Sequence, residues 1–158
     1  MRLILKLAAL LCLAVSGNVT LAHAQSQQTD IRPFGTRIVG DDITTHFKGL
    51  THIGAYNFSQ NGEPRSSYKE THNSDGTIIY TEGNLKADGR WGVFDDILCY
   101  HYNNPAMNGG CYRVYRVENC YYFYSNNLPE NPKEIDGDFW TARSTVNGET
   151  KKCEAAIS

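Results

Sequence analysis

Hydrophobic and polar residues alternate along this chain in short runs, and turn residues separate one run from the next. Side chains that alternate with a period of two are typical of β-strands with one buried face. The clearest signal is the pair Asp75-Gly76, which lies between two β-rich runs and predicts a hairpin. The predicted strands cover residues 50–58, 66–72, 77–81, 90–94, 97–102, 111–117, 120–125 and 139–145.

The succession of these elements predicts an all-β fold. Residues 42–48 have a weak helical pattern, and a helix of that length is too short to connect two parallel strands. Residues 82–89 are predicted to be a turn region. Short strands joined by turns favour an antiparallel meander that closes into a small barrel or folds into a sandwich.

The N-terminus has the three parts of a secretory signal peptide. Arg2 and Lys6 give a positive start, an apolar run follows over 7–15, and Ala22-His23-Ala24 supplies the small-x-small cleavage pattern. We predict a signal peptide over 1–24, a leader over 25–40 that wraps the surface or begins an edge strand, and a single β domain over 41–158. A spanning helix needs about 20 apolar residues, so the chain is predicted not to span a membrane.

The charge of the mature chain bears on its partners. Removal of Arg2 and Lys6 with the signal peptide leaves 13 basic against 17 acidic residues, a formal charge of −4, with no long run of either sign. Nucleic acids and anionic membrane surfaces attract clustered Lys and Arg. The composition therefore argues against nucleic acid as a partner.

Four cysteines remain after the signal peptide, namely Cys99, Cys111, Cys120 and Cys153. An even number in an exported domain predicts two disulfides, for which three pairings exist. If residues 103–110 join two adjacent strands, Cys99 and Cys111 lie nearly opposite each other. The meander therefore favours Cys99–Cys111, which leaves Cys120 to pair with Cys153. Because disulfides persist in oxidising compartments, the expected location is the periplasm or the cell exterior.

The usual catalytic and metal-binding motifs do not occur in the sequence. There is no G-x-S-x-G, S-x-x-K, H-E-x-x-H or phosphate-binding glycine loop. Among the histidines, only His52 and His101 were candidates for a shared metal, and only if they met across strands. Asp41-Asp42, Asp95-Asp96 and Asp136-Gly137-Asp138 are best explained as turn residues. We predict a protein that is not an enzyme and that uses no metal or cofactor.

Tyrosine is the most informative residue type. All ten tyrosines follow the signal peptide, and seven of them lie between positions 100 and 124. Because strand side chains alternate between faces, one set is expected to line a pocket or fill the interior while the other packs outside. Aromatic residues also favour strands for packing alone, and that alternative stays open. The candidate ligand-binding residues are Tyr100, Tyr102, Tyr112, Trp91 and His101.

The order of several motifs resembles a family of small exported bacterial proteins, mostly proteobacterial, of unknown function. The shared pattern reads D-G-T, G-x-W, L-C and C-Y-x-V across residues 47–125. Here it corresponds to Asp75-Gly76-Thr77, Gly89-Arg90-Trp91, Leu98-Cys99 and Cys111-Tyr112-Arg113-Val114. The resemblance implies a lipocalin-like antiparallel barrel, and it supplies no active-site residues.

These observations together predict an exported, non-enzymatic binding protein. Its expected partner is a small apolar or envelope-derived ligand inside the barrel, or an envelope protein on a tyrosine-rich face. One alternative is a secreted inhibitor of an envelope-directed hydrolase. Another is an enzyme built from His and Asp residues that folding brings together.

Overall fold

The computed structural model describes residues 35–57, 66–107, 109–129, 139–150 and 153. The predicted signal peptide over 1–24, most of the leader and the Asp136-Gly137-Asp138 turn lie outside the described residues. One helix, α1 (Asp41–Phe47), accompanies nine strands. The strands are β1 (Thr36–Ile38), β2 (Thr51–Tyr56), β3 (Ser67–His72), β4 (Thr77–Glu82), β5 (Leu85–Phe94), β6 (Ile97–Tyr102), β7 (Gly110–Val117), β8 (Cys120–Ser125) and β9 (Ala142–Val146).

The eight strands from β2 to β9 form a closed antiparallel barrel. Each strand pairs with the next in the chain, and β9 closes the ring by pairing with β2, with Gly54 opposite Ser144. The short strand β1 pairs with residues 114–116 of β7, beyond the point where β6 leaves that strand. The predicted small lipocalin-like barrel is therefore confirmed, and residues 36–38 of the leader form its edge strand.

The turns between strands use residues that tolerate a positive φ angle. The β5–β6 turn places Asp95 and Asp96 at φ 46° and 61°, and the hairpin at Gly76 has φ 81°. Aspartate and glycine adopt this left-handed region more readily than most residues. The Asp75-Gly76 and Asp95-Asp96 turns are thus where the sequence predicted them. The turn predicted at Asp41-Asp42 was wrong, because these two residues form the first turn of α1, where acidic side chains are favourable.

Strand β5 is longer than expected. The predicted turn region over 82–89 was wrong in extent, because only Gly83 and Asn84 form the turn and the strand already begins at Leu85. Lys86 and Asp88 are exposed and alternate with inward-facing neighbours. Because lysine and aspartate have poor strand propensity, the sequence of this segment does not indicate a strand. Gly89 is required where β5 meets β6, since a Cβ there would lie 2.1 Å from the carbonyl oxygen of His101.

Helix α1 closes one end of the barrel. Its residues Ile43 and Phe47 are fully buried, and the Phe47 ring stacks on His52 with centroids 4.4 Å apart. The same ring meets Tyr121 and Phe123 edge-on. The predicted helix therefore forms a plug, and its exposed residues face outward. No helix among the described residues has the length and hydropathy needed to cross a membrane.

A second buried cluster covers the outer face of β7 and β8. It contains Tyr115, Tyr122, Tyr124, Cys120 and Trp140, and Cys153 packs against it. The disulfide Cys120–Cys153 ties the C-terminal segment to this cluster, and Cys99–Cys111 joins directly opposite residues of β6 and β7. Both predicted disulfides are confirmed, and they fit a protein that matures in an oxidising environment.

Candidate ligand-binding cavity

The barrel contains a cavity of about 220 Å³ at the end opposite α1. Phe123 lies at its floor, because this residue lines the cavity and also contacts the plug residue Phe47. Leu85, Met107 and Thr141 contribute to the wall. The remaining large lining residues are six tyrosines and two glutamates, namely Tyr56, Tyr68, Tyr80, Tyr100, Tyr102, Tyr112, Glu70 and Glu82.

Strand alternation brings these side chains to the same interior. On β3 the residues Tyr68, Glu70 and His72 are buried, whereas Ser67 and Lys69, on the opposite face of the strand, are exposed. Gly54 on β2 makes room for the Tyr68 ring, because a Cβ at Gly54 would lie 2.4 Å from Cζ of that ring. Period-two geometry therefore selects the cavity residues.

The tyrosine rings form a continuous belt around the cavity wall. Neighbouring ring centroids are between 5.0 and 6.4 Å apart at each step of this belt. In spatial order, the tyrosine belt consists of Tyr56, Tyr68, Tyr80, Tyr102, Tyr100 and Tyr112. Such contacts fix the rings, and the tyrosine side chains contribute both aromatic carbon and hydroxyl groups to the cavity lining.

Glu70 is a buried carboxyl group in this wall, and only 5% of its surface is exposed. Tyr102 donates a hydrogen bond to its Oε1 atom, and Nε2 of His72 lies 3.7 Å from its Oε2 atom. Burial raises the pKa of Glu70 to about 7, although the Tyr102 hydrogen bond lowers it in part. Near neutral pH this carboxyl group therefore changes its charge easily.

The contact between His72 and Glu70 has the distance of an ion pair but not its charges. Burial lowers the pKa of His72 to about 3, and the nearby His52 contributes in the same direction. The imidazole is consequently neutral when Glu70 ionises. Nε2 of His72 also lies 3.1 Å from the Tyr100 hydroxyl group, within hydrogen-bonding distance.

The second carboxyl group, Glu82, belongs to a hydrogen-bonded chain. The Tyr80 hydroxyl donates to Oε2 of Glu82 at 2.7 Å, and the hydroxyl oxygens of Tyr56 and Tyr80 are 2.9 Å apart. Since Tyr80 has one hydroxyl proton and gives it to Glu82, Tyr56 must donate to Tyr80. Two tyrosine–carboxyl pairs thus line one cavity.

The phenols stay protonated over a wide pH range. Burial raises the pKa of Tyr68, Tyr100 and Tyr102, and the nearby Glu70 carboxyl group raises each of them further. The described residues that line the cavity include no Lys, Arg or His. Apart from the phenols, the titratable side chains among these described lining residues are therefore the carboxyl groups of Glu70 and Glu82.

Histidines lie beneath the cavity floor, against the plug. Nε2 of His52 is 3.1 Å from the carbonyl oxygen of His46, which can only accept, so this nitrogen carries the proton. Nδ1 of His52 then accepts from the Ser144 hydroxyl at 3.0 Å. Burial lowers the pKa of His52 to about 4, which keeps the ring neutral at physiological pH.

The meeting of His52 and His101 that a shared metal would have required does not occur. His101 is exposed on the outer face, since it lies between the inward-facing Tyr100 and Tyr102, whereas His52 is inside and faces His72 with ring centroids 5.3 Å apart. Among the described residues, no group of three or more His, Cys, Asp or Glu side chains is arranged to hold a metal ion.

Three of the five candidate binding residues line the cavity, namely Tyr100, Tyr102 and Tyr112. Trp91 lies nearer the plug, where its Nε1 donates to the Asn73 carbonyl and its ring meets His72 edge-on. His101 is outside the barrel. The role of all five in binding stays a prediction.

Sequence reasoning missed Glu70 and Glu82, along with the tyrosines of β2, β3 and β4. The alternation Tyr68-x-Glu70-x-His72 places three polar or amphipathic residues on one strand face. That pattern is the signal that was available, because the intervening Lys69 has to face solvent. No protein-family model matches this chain, and searches of curated proteins and of solved structures found no match.

Proposed function

We propose that this protein is an exported, non-enzymatic barrel that binds a small ligand in its cavity, in the periplasm or outside the cell. The cavity is the observation that carries the proposal. It is closed at one end by α1, it lies inside an otherwise packed barrel, and it is lined by side chains with both aromatic rings and hydrogen-bonding groups. Ligand sites typically combine apolar walls with a few fixed polar groups.

The location of the tyrosines favours the cavity over a protein-binding face. Tyr115, Tyr122 and Tyr124 point outward from the barrel, yet all three are buried in the cluster with Trp140. They are already used for packing within this chain. The tyrosines that still face open space are those of the cavity, which supports the cavity as the proposed binding site.

Export is supported by two observations of different kinds. The first 24 residues have the sequence pattern of a signal peptide, and both cysteine pairs of the mature chain form disulfides. The resemblance to a family of small exported bacterial proteins agrees with this and stays a prediction. The test is isolation of the protein from its host, with the N-terminus determined and the thiol content measured before and after reduction.

Binding is tested by native mass spectrometry of the mature protein purified from envelope extracts. We expect a retained small molecule, and we expect Ala142→Phe to abolish its retention, because Ala142 is buried and lines the cavity. Ile79→Phe is the matched control, since Ile79 lies on the outer face of β4 and is 52% exposed. Absence of any bound species, together with no capture from envelope extracts, would contradict the proposal.

One observation favours a second candidate, an acid–base enzyme. A general acid or base works best when its pKa is near the working pH, and the pKa of Glu70 is raised to about 7 in a cavity wall. The reactive probe 5-nitrobenzisoxazole, whose ring opens on proton abstraction, tests this directly. Ring opening faster than with Glu70→Gln, with a pH profile that rises through about 7, would support catalysis over binding alone.

A further inference from the structure

We propose that the ligand carries a small organic ammonium group, which the cavity holds between the two carboxyl groups and the tyrosine belt. This inference rests on the proposed binding function and specifies the chemical class of the ligand. Three features of the cavity lead to it, namely its charge, its aromatic lining and its size.

The charge of the wall selects a cation. Glu70 and Glu82 both line the cavity, and no positively charged side chain is among the described residues there. An anionic ligand would meet two like charges in a partly desolvated space, where repulsion is strong. A neutral ligand gains no attraction when Glu70 ionises, whereas a cation is attracted both to the carboxylate form of Glu70 and to Glu82.

The tyrosine belt supplies the second attraction. A cation within about 6 Å of an aromatic ring centroid is attracted to the negative face of the ring, and desolvated examples are the strongest. Quaternary ammonium groups are recognised in this way by cages of aromatic side chains. Here six rings follow one another around the wall, and each is in contact with the next.

An organic cation fits this site better than a metal ion. Burial raises the pKa of the belt residues Tyr68, Tyr100 and Tyr102, so that their phenols remain neutral and protonated. Hard metal ions bind charged or carbonyl oxygens. A ring face, by contrast, attracts an ammonium group without losing a proton.

The size of the cavity limits the ligand to a small molecule. A cavity of roughly 150 Å³ is enough to hold benzene, and the present cavity measures about 220 Å³. That space accommodates a trimethylammonium group with a short chain, or one aromatic ring with an aminoethyl chain. Long lipids and peptides exceed it.

Binding of a cation should be linked to ionisation of Glu70. Because a positive charge stabilises the carboxylate form, affinity is expected to rise with pH up to about 7, where Glu70 loses its proton. The ionisable groups that face or influence Glu70 come from four other strands as well as its own. They are Tyr56 on β2, Tyr68 and His72 on β3, Tyr80 and Glu82 on β4, Tyr100 and Tyr102 on β6, and Tyr112 on β7.

The experiment is calorimetric titration of the mature, oxidised protein with pairs of probes that share a skeleton. Choline is compared with 3,3-dimethylbutan-1-ol, in which carbon replaces the charged nitrogen. Phenethylammonium is compared with 2-phenylethanol and with phenylacetate. We expect at least one cation to bind about tenfold or more tightly than its neutral counterpart, and phenylacetate to bind weakest.

Variants and pH locate the effect at Glu70. We expect Glu70→Gln to reduce the preference for the cation about tenfold, and Asp95→Asn to leave it unchanged. Asp95 is an exposed residue of the β5–β6 turn, at the plug end of the barrel. Glu70→Gln is the direct test, and a second measurement covers the case in which this variant does not fold. Because choline does not titrate, a fall in its affinity for the wild-type protein between pH 7.5 and pH 5.5 reports protonation of the Glu70 carboxyl group.

The outcomes separate this inference from the proposed function. Equal affinity for cation and isostere, or a preference for phenylacetate, overturns the ammonium inference while binding itself stands. Cation affinity that does not change with pH also overturns the role given to Glu70. If no probe binds and native mass spectrometry finds no ligand, the proposed binding function falls, and the ammonium inference falls with it.

Discussion

The hydrogen bond from Tyr102 affects the protonation state of Glu70, one of the two carboxyl groups of the cavity. It favours the ionised form of a carboxyl group whose pKa burial otherwise raises. Replacing Tyr102 with Phe keeps the ring and removes the donor. We therefore expect the pKa of Glu70 to rise above about 7 in this variant, as measured by carbon-13 NMR titration of side-chain carboxyl groups.

Tyr112→Phe provides the matched control for that titration. It also removes one hydroxyl group from the cavity wall, but the residue that donates to Glu70 is Tyr102. The pKa of Glu70 should change less in this variant than in Tyr102→Phe. Equal shifts in the two variants would mean that cavity polarity, rather than the specific bond, sets the pKa.

At the residue scale the sequence predicts part of the candidate site. Tyr100, Tyr102 and Tyr112 were identifiable because alternation requires one set of clustered tyrosines to point inward. Glu70 was not, because a glutamate in a strand is normally expected to face solvent. Its position two residues after Tyr68 places it on the same strand face. Its burial also depends on closure of the barrel, which is not a local property of the sequence.

Helix α1 stabilises the barrel mainly by burying its apolar side chains at one end, and less through the formation of the helix itself. Its Phe47 is fully buried and contacts His52, His72, Tyr121 and Phe123. We expect Phe47→Ala to lower the free energy of unfolding by about 3–5 kcal/mol, as for other large-to-small core substitutions. Urea denaturation measures this.

The control for the plug is Thr45→Ala, a substitution on the exposed side of the same helix. Thr45 donates only to the carbonyl oxygen of Asp41 within the helix. Its replacement should change the free energy of unfolding by less than about 0.5 kcal/mol. Similar losses for the two variants would show that helix formation, and not burial of the Phe47 ring, is the source of stability.

The two disulfides should contribute unequally to stability. Cys120–Cys153 spans 33 residues and Cys99–Cys111 spans 12. In the chain-entropy account the longer loop is worth roughly 4 kcal/mol and the shorter one roughly 3 kcal/mol. We expect the double variant Cys120→Ala/Cys153→Ala to have the lower midpoint of urea denaturation. A larger loss from Cys99→Ala/Cys111→Ala would contradict the loop-length argument.

Elements were easier to predict than their closure. Local turn chemistry located the hairpins at Asp75-Gly76 and Asp95-Asp96, and the meander order implied both disulfide pairings. The pairing of β9 with β2 joins segments about 90 residues apart. No local pattern encodes such a contact, which is why the sequence left both barrel and sandwich open.

At the scale of the whole molecule, three buried groups shape the dependence of stability on pH. The folded-state pKa values of His52 and His72 are lowered to about 4 and about 3. The unfolded chain therefore binds protons below about 6.5 that the folded protein does not, and each histidine lowers stability by up to about 1.4 kcal/mol per pH unit of acidification. Glu70 has the opposite effect, since its raised pKa makes the folded form hold a proton between about 4.5 and about 7.

The two histidines together outweigh the one glutamate. As pH falls from about 6.5 to about 4.5, the unfolded chain gains up to two protons at His52 and His72 while Glu70 offsets one. We expect the free energy of unfolding to be nearly constant above about pH 6.5, where the histidine and Glu70 contributions almost cancel, and to fall towards about pH 4.5. In Glu70→Gln the fall on acidification should be steeper, because the opposing contribution of Glu70 is lost. Urea denaturation across pH 4–9 checks this, and greater stability at pH 4.5 than at pH 6.5 would contradict it.

The closed ring of strands has a consequence for how the protein behaves in a crowded compartment. From β2 to β9 every strand is hydrogen-bonded on both sides, and within the described residues only β1, three residues long, pairs on one side alone. Unpaired strand edges are the templates on which chains polymerise. The folded barrel therefore has few unpaired backbone N–H and C=O groups at a strand edge with which another chain could pair. Resistance to fibril formation follows from this topology.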